Sequence, residues 1–153
     1  MIHPTAIIEE NVTLGKNCRV WAFAHIRTGA TIGDNCIIGE GAHIDYNVTI
    51  GDNCKIQNHA LIYHGVTIED DVFIGPNVVT TNDHLPSVHG DWMKSGRFRK
   101  TILRKGCNIG ANATIVCGIE IGEGATIGAG SVVTRSIPAK ALAYGNPAKI
   151  KNQ

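Results

Sequence analysis

A six-residue repeat runs without a gap from residue 2 to residue 79. Each repeat opens with a large aliphatic residue, and its fifth place holds a small or medium residue that precedes the next opening by two positions. Two residues is the period of a β-strand, so both places point inward from one short strand. Turn formers such as Gly33-Asp34-Asn35 separate the strands. The repeat therefore predicts an all-β fold, a parallel β-helix of hexapeptide repeats.

The repeat is interrupted once and returns at Leu103. Three hexads make an 18-residue coil, which places residue n about 4.8 Å from residue n+18, the ordinary spacing of paired strands. At Thr80 the opening place becomes polar for the first time, and about 17 extra residues precede the return of the pattern. We expect a single domain over residues 1–153, with one long loop at about residues 80–102 inserted in a late coil. Long loops on rigid scaffolds are usually functional.

The charge is uneven along the chain. Residues 1–83 contain four Lys/Arg and ten Asp/Glu, whereas residues 84–153 contain ten and three, for a net charge of +1. The small net charge argues against a nucleic-acid partner, and the basic second half favours an anionic ligand over an ordinary polar surface. Within the loop, Arg97 and Arg99 are predicted to bind substrate, because guanidinium groups can bind phosphate bidentately.

The cysteines follow the repeat. Cys18, Cys36 and Cys54 are 18 residues apart, and Cys107 has the same place in a later coil. This spacing predicts small buried residues rather than disulfides or metal ligands. Cys117 lies at a third place, where we expect it nearer solvent and hence in a reducing compartment. The sequence has no signal peptide and no apolar run that could span a bilayer, so we expect a cytoplasmic protein without a membrane partner.

Several stretches carry a family resemblance. They are VWAFAHI (Val20–Ile26), KIQN (Lys55–Asn58), IEDDVFIGPNVVTTND (Ile68–Asp83), IGANATIVCG (Ile109–Gly118) and GNPAKI (Gly145–Ile150). In these the chain resembles the left-handed β-helix acyltransferases of the hexapeptide type, particularly the N-acetyltransferases that act on nucleotide-linked amino sugars. The resemblance implies a left-handed coil, a homotrimer, and acetyl-CoA bound between neighbouring chains. The residues that it implies for acetyl-CoA binding are Gly110, Ala111, Ala129, Pro147 and Lys149.

Polar side chains recur at one corner of the predicted coil. Tyr46, His64 and Asn82 are 18 residues apart and should form a ladder beside the loop. Acetyl transfer to an amine needs a positioned acceptor and loss of a proton. We therefore predict that Asn82 orients the acceptor and that His84 is the catalytic base, with the substrate's own amine as the alternative. The predicted substrate-binding residues on the coils are Tyr46, His59, Tyr63 and His64.

Three alternatives remain open from the sequence. A sugar O-acetyltransferase of the same fold is one, since such enzymes keep a histidine in a segment similar to that around His84. A zinc enzyme similar to γ-class carbonic anhydrases is another, since His59 and His64 resemble its ligands. Their five-residue spacing places them on successive corners, where one ion could join them only across two chains, so we predict no metal. The third is a silent scaffold, against which the inserted loop argues.

Overall fold

The computed structural model describes residues 1–151, in which short strands are joined by turns and no helix occurs, and so none that could cross a membrane. The strands before the inserted loop are β1 (Ile7–Ile8), β2 (Thr13–Leu14), β3 (Arg19–Val20), β4 (His25–Ile26), β5 (Thr31–Ile32), β6 (Ile37–Ile38), β7 (His43–Ile44), β8 (Thr49–Ile50), β9 (Lys55–Ile56), β10 (Leu61–Ile62), β11 (Val66–Ile68), β12 (Phe73–Ile74) and β13 (Val79–Thr80). Those after it are β14 (Thr101–Leu103), β15 (Asn108–Ile109), β16 (Thr114–Ile115), β17 (Glu120–Ile121), β18 (Thr126–Ile127), β19 (Val132–Val133), β20 (Leu142–Gly145) and β21 (Ala148–Lys151).

The strands form three parallel sheets, and each coil contributes one strand to each sheet. Their orders are β1-β4-β7-β10-β13-β16-β19, β2-β5-β8-β11-β14-β17 and β3-β6-β9-β12-β15-β18-β20-β21, with only the β20–β21 pair antiparallel among these. Ile26 pairs with Ile44 and Ile44 with Ile62, which is the predicted 18-residue register. The all-β parallel β-helix is thus confirmed, and its left-handed sense stays a prediction.

One continuous core fills the interior of the coils. Ile44 and Ile62 open their hexads, Ala42 and Ala60 take fifth places, and all four are fully buried. Burying a side chain of the size of isoleucine contributes roughly 1.5–3 kcal/mol relative to leaving it exposed. The first coil is less buried, with Ile2 still 51% exposed, because no further described coil stacks on its other side.

The cysteine column lies in this core as predicted. The thiols of Cys18, Cys36 and Cys54 each contact a carbonyl oxygen 15 residues further along the chain, at 3.1 Å. Burial raises the pKa of Cys107 to about 12, so its thiol stays protonated. The prediction for Cys117 was wrong, since this residue is buried. Both ends of the inserted loop pack against its turn, where the Cys117 N–H donates to the Thr81 hydroxyl at 2.9 Å.

The inserted loop is shorter than predicted at each end. Thr80 pairs with Ile115 in the ladder and Val66 pairs with Thr101, so the non-repeating segment is 81–100. Thr80 keeps the repeat register although it is polar, because its buried hydroxyl accepts the Tyr63 N–H at 2.9 Å and thus satisfies a backbone donor inside the core. A bridge between residues 83 and 98 closes the base of the loop.

Candidate active site

The predicted ladder of Tyr46, His64 and Asn82 forms at the corner beside the loop. The rings of Tyr46 and His64 stack with centroids 4.1 Å apart, and Asn82 Nδ2 donates to the His64 carbonyl at 3.2 Å. His64 Nδ1 lies 3.0 Å from the Tyr46 carbonyl oxygen. Since that oxygen can only accept, neutral His64 carries its proton on Nδ1. Its Nε2 has no hydrogen-bond partner within residues 1–151 and is left as an acceptor.

The loop supplies a second aromatic face to His64. Phe98 stacks on its imidazole with centroids 5.2 Å apart, and Trp92 packs edge-on against Phe98. Gly65 makes this possible, because a Cβ at that position would lie 2.7 Å from the Phe98 ring and the residue has a φ of +93°. Sequence reasoning missed Phe98, since a loop without periodicity gives no register from which to place it.

A buried carboxylate, Asp45, lies behind the ladder. It accepts hydrogen bonds from Arg27 Nη1 at 2.7 Å, from the Tyr46 N–H at 2.9 Å and from the His64 N–H at 3.0 Å. Burial acts to raise the pKa of Asp45, but the N–H groups of His64 and Tyr46 together with Arg27 outweigh it and hold the pKa below its ordinary value. Sequence reasoning missed Asp45 as part of the site, although its 18-residue spacing from Arg27 is a signal that could have paired them.

Tyr63 and His59, both predicted to bind substrate, lie in different surroundings. Tyr63 is half-buried and lines a cavity of about 230 Å³ at the base of the loop, together with Val79, Thr80, Thr81, Asn82, Asp83 and Pro86. His59 is exposed on the corner that follows β9, whereas the ladder lies on the corner that follows β10. One chain therefore brings Tyr63 to the ladder and leaves His59 apart from it.

The loop residues divide between solvent and internal contacts. His84 is exposed, and its imidazole makes no hydrogen bond with residues 1–151. Arg97 has a side chain only 13% exposed, lies 3.5 Å from Asp83, and donates to loop carbonyls at 3.3 and 3.4 Å. Arg97 thus holds the loop together, and its contacts do not support the predicted role as a phosphate ligand. Arg99 is exposed and remains free to meet an anion.

The corner of the later coils presents backbone donors. The N–H groups of Ala111 and Ala129 find no acceptor within residues 1–151. Gly110 packs so closely on the next coil that a Cβ there would lie 2.5 Å from the Ala129 nitrogen. On the same corner of an earlier coil, the Glu40 N–H is capped by Asn58 Oδ1 at 3.2 Å. Alanine has no such cap to offer, so the later coils keep donors for an extended ligand.

The end of the chain adds a basic cavity. Its volume is about 220 Å³, and its lining residues are Arg135, Ser136, Ile137, Pro147, Ala148, Lys149 and Ile150. The cavity brings the predicted pair Pro147 and Lys149 together with Arg135, a second cation that sequence reasoning did not single out. Two cations beside an apolar wall suit a ligand that carries phosphate on an organic group.

The histidines of strands β4 and β7 have structural partners. His25 Nε2 lies 2.7 Å from Glu9, and its ring meets His43 edge-on at 5.3 Å. Burial lowers the pKa of His43, against the opposite pull of Asp45. Within residues 1–151, no three His, Cys, Asp or Glu side chains are arranged to hold a metal ion.

Two family descriptions match this chain. The bacterial transferase hexapeptide (six repeats) matches residues 11–46 and 47–82, and the hexapeptide repeat of succinyl-transferase matches residues 102–135. The matched ranges together span more than half of the chain, and they meet the repeat on both sides of the inserted loop.

Individual relatives resemble parts of the chain. A dTDP-3-amino-3,6-dideoxy-alpha-D-galactopyranose 3-N-acetyltransferase from Aneurinibacillus thermoaerophilus is 67% identical over 54 residues, which are 35% of this chain and 28% of that protein. PerB from Caulobacter crescentus, in complex with CoA and GDP-perosamine, is 28% identical with a TM-score of 0.61 over 99% of this chain and 56% of that one. A galactoside acetyltransferase in complex with coenzyme A is 28% identical with a TM-score of 0.69 over 82% and 64%. The chain thus corresponds to only part of the length of each.

Proposed function

The chain belongs to the hexapeptide-repeat family of bacterial transferases, and from this premise we propose that it transfers an acetyl group from acetyl-CoA to the amino group of a nucleotide-linked sugar. One observation carries the proposal above the others: the stacked Tyr46–His64 pair with an unused His64 Nε2 beside Asn82. The reaction needs a positioned amine and a group that takes its proton. In the ladder, Asn82 can position the amine and His64 Nε2 can take its proton.

The proton acceptor is one of two histidines. The amine nitrogen attacks the thioester carbonyl, the carbon–sulfur bond breaks, CoA leaves as the thiolate, and a proton of the amine passes to the base. His84 is the base predicted from the sequence and stays a proposal, as does direct loss of the proton from the substrate. The geometry favours His64, because its ring is held between Tyr46 and Phe98 and its Nδ1–H is already engaged.

The acceptor is proposed to be a nucleotide-linked amino sugar. The cavity between Tyr63 and Asn82 adjoins the ladder and has room for a sugar ring. Arg99 is exposed and its aliphatic stem lies over Gly118, which leaves its guanidinium as a cation that can meet a diphosphate. The similarity to the Aneurinibacillus enzyme and to PerB supports this class of acceptor.

Acetyl-CoA is proposed to lie along the later coils. The uncapped N–H groups of Ala111 and Ala129, beside Gly110, can donate to the amide carbonyls of a pantetheine arm. The basic cavity with Pro147 and Lys149 can receive phosphate groups of the nucleotide end. That CoA occupies the PerB and galactoside acetyltransferase structures supports the choice of ligand.

A homotrimer is proposed as the active form. Trp21 is 43% exposed and Phe23 is 66% exposed, and large aromatics on one face suit a subunit interface. The ladder and the later-coil donors follow strands of two different sheets, so a neighbouring chain is needed to bring an acetyl group to the ladder. A cytoplasmic location is also proposed, since all five cysteines are free thiols. Light scattering at micromolar concentration tests the trimer, and a monomer would contradict it.

The experiment for the function is a thiol-release assay with acetyl-CoA. The acceptor panel contains UDP-, dTDP- and GDP-linked amino sugars, with matched sugars that carry a hydroxyl in place of the amine. Release with amino sugars alone supports the N-acetyltransferase. Release with hydroxyl acceptors supports the O-acetyltransferase alternative, and the similarity to a galactoside acetyltransferase keeps that candidate in view. No release with any acceptor, together with bound zinc by metal analysis, would favour the zinc enzyme similar to γ-class carbonic anhydrases instead.

A further inference from the structure

Asp45 is built into the corner behind the ladder more tightly than a surface carboxylate would be. It is 5% exposed, and both of its oxygens are used. Oδ1 accepts from Arg27 Nη1 and from the Tyr46 N–H, and Oδ2 accepts from the His64 N–H. Tyr46 and His64 belong to successive coils, so this one side chain ties together the backbones that carry the two stacked rings.

The link that Asp45 makes between the two backbones affects which ring nitrogen of His64 carries the proton. The bond from His64 Nδ1 to the Tyr46 carbonyl, 3.0 Å long, exists only while both peptide segments keep their present separation. We propose that Asp45 is a positioning residue, which holds Tyr46 against His64 and thereby keeps the His64 proton on Nδ1 and Nε2 toward the acceptor. The inference rests on the proposed function, in which His64 takes the proton of the amine.

Arg27 in turn holds the carboxylate. A buried charge needs a partner, and the Arg27 guanidinium supplies it at 2.7 Å while lying 5.3 Å from the centre of the Tyr46 ring. Its Nε lies 3.6 Å from Glu9, which accepts from His25. His43 Nε2 also faces Asp45 Oδ1, at 4.0 Å. Arg27 and His43 thus both lie on the side of Oδ1, and Oδ2 accepts the His64 N–H.

Asp34 provides a matched control on another corner. Its Oδ1 accepts the Lys16 N–H at 2.7 Å, so it also joins the backbones of successive coils, as Asp45 does through the His64 N–H. Asp34 follows β5, whereas the ladder follows β7 and β10, and it makes no ion pair with Arg27 within residues 1–151. An Asp34→Asn substitution therefore alters the same kind of bond away from the ladder.

The test combines imidazole ¹⁵N NMR with steady-state kinetics on the full chain. The His64 signals are assigned by their loss in His64→Gln. In the wild type we expect the Nδ1–H tautomer, and in Asp45→Asn a mixture, because an amide NH₂ would oppose one of the two N–H donors. We expect kcat to fall by up to roughly 100-fold, as misplacement of a reacting group does, with the KM for acetyl-CoA unchanged. Asp34→Asn should keep the wild-type tautomer and kcat.

Melting curves separate positioning from folding. If Asp45→Asn does not fold, Arg27→Gln is measured in its place, and a smaller change in the same direction is expected. An unchanged His64 tautomer and kcat in a folded variant, even with a lower melting temperature, would identify a structural role alone and overturn the proposal. If the wild type acetylates no acceptor, the proposed function fails, and the NMR comparison still decides whether Asp45 controls the His64 proton.

Discussion

The coils before and after the inserted loop share a core and differ at their corners. Before the loop, several side chains of one coil cap free N–H groups of the previous coil; Asp34 Oδ1 accepts from the Lys16 N–H at 2.7 Å and Asn58 Oδ1 from the Glu40 N–H at 3.2 Å. After the loop, the corner places of one column are Ala111 and Ala129, and within the described chain their N–H groups stay uncapped. The same kind of backbone donor is thus satisfied by the protein itself at Lys16 and Glu40 and left open to a ligand at Ala111 and Ala129.

The difference shows how one repeat can support two kinds of chemistry. The earlier coils place side chains, such as Tyr46 and His64, where a stacked and hydrogen-bonded pair can form. The later coils remove side chains and so expose the backbone. Charge follows the same division, with the acidic excess before residue 84 and the basic excess after it. Function therefore resides in what the corners carry, while the core only fixes the spacing.

The largest effect is expected for a residue in the coils before the loop, His64. His64→Ala should lower kcat by roughly 10²–10⁴-fold, the range for loss of a positioned base, and should remove the acidic limb of the pH–rate profile. His84→Ala is the matched variant and should retain most of kcat, because its imidazole is exposed and held by no hydrogen bond within the described chain. Both are measured at saturating acceptor. The reverse result would confirm the base predicted from the sequence.

The next prediction tests the hydrophobic core that the coils before and after the loop share. Ile56, before the loop, and Ile109, after it, each pair with Ile74 from the strands on its two sides, and both are fully buried. Replacing either one with alanine should lower the free energy of unfolding by about 2–5 kcal/mol, from lost burial and the cavity left behind. Urea denaturation at fixed protein concentration measures both. A much smaller loss for Ile109→Ala would show that the later coils have a different core after all.

Nearly all of the fold could be predicted from the sequence, because each hexad carries the same pattern of a large aliphatic first place and a smaller fifth place. Register, strand positions and the buried cysteine column follow from counting in steps of six and 18. The predicted start of the loop and the predicted exposure of Cys117 were wrong, because in both places the side-chain contacts differ from the rest of the repeat while the backbone geometry does not. Thr80 kept its core place by bonding a backbone N–H, and Cys117 was covered by the base of the loop.

The candidate site could be predicted only where it follows the coil. The ladder of Tyr46, His64 and Asn82 came from the 18-residue spacing alone. Phe98 comes from a loop with no period, so no count could place it over His64. The same absence of period explains why Arg97 was expected to face a ligand and instead closes its own loop.

A moderate effect is expected at the last rung of the ladder. Asn82→Ala should lower kcat/KM by the equivalent of roughly 1–3 kcal/mol, the cost of an orienting hydrogen bond, and leave the acidic limb of the profile in place. Asn58→Ala is the control, since it removes an amide that caps Glu40 on another corner. Steady-state kinetics over a range of pH separates the two. Loss of the limb in Asn82→Ala would mean that Asn82 helps to set the protonation of the base.

An added side-chain cap on the Ala111 N–H should make this corner of the later coils resemble the capped corner at Glu40. Ala129→Asn places an amide 18 residues after Ala111, as Asn58 lies 18 residues after Glu40. The new oxygen should occupy the Ala111 N–H and weaken CoA binding by about tenfold, the equivalent of one hydrogen bond. Ala129→Val adds similar bulk without an acceptor and serves as the control. Calorimetry with CoA measures both, and equal losses would assign the effect to bulk rather than to capping.

The smallest effect concerns the ion pairs of Arg104, one of which joins the two regions. Arg104 donates to Glu69, before the loop, at 2.8 Å and to Glu120, after it, at 2.9 Å. All three side chains are partly exposed, so solvent screens the network and its contribution at neutral pH is small. The hydrogen bonds from Arg104 lower the pKa of Glu69 and of Glu120.

A folded-state pKa below the unfolded value stabilises the protein above the unfolded glutamate pKa, about 4.3, and this stabilisation is lost as the pH falls through the folded value. Arg104→Gln should therefore melt slightly below the wild type at pH 7, and the two melting temperatures should converge as the pH falls through the pKa values of the two glutamates. Added salt at pH 7 should narrow the gap in the same way, because it screens the exposed charges. A gap that stayed constant with both pH and salt would show that Arg104 joins the early and late coils by packing its aliphatic stem and not by its charge.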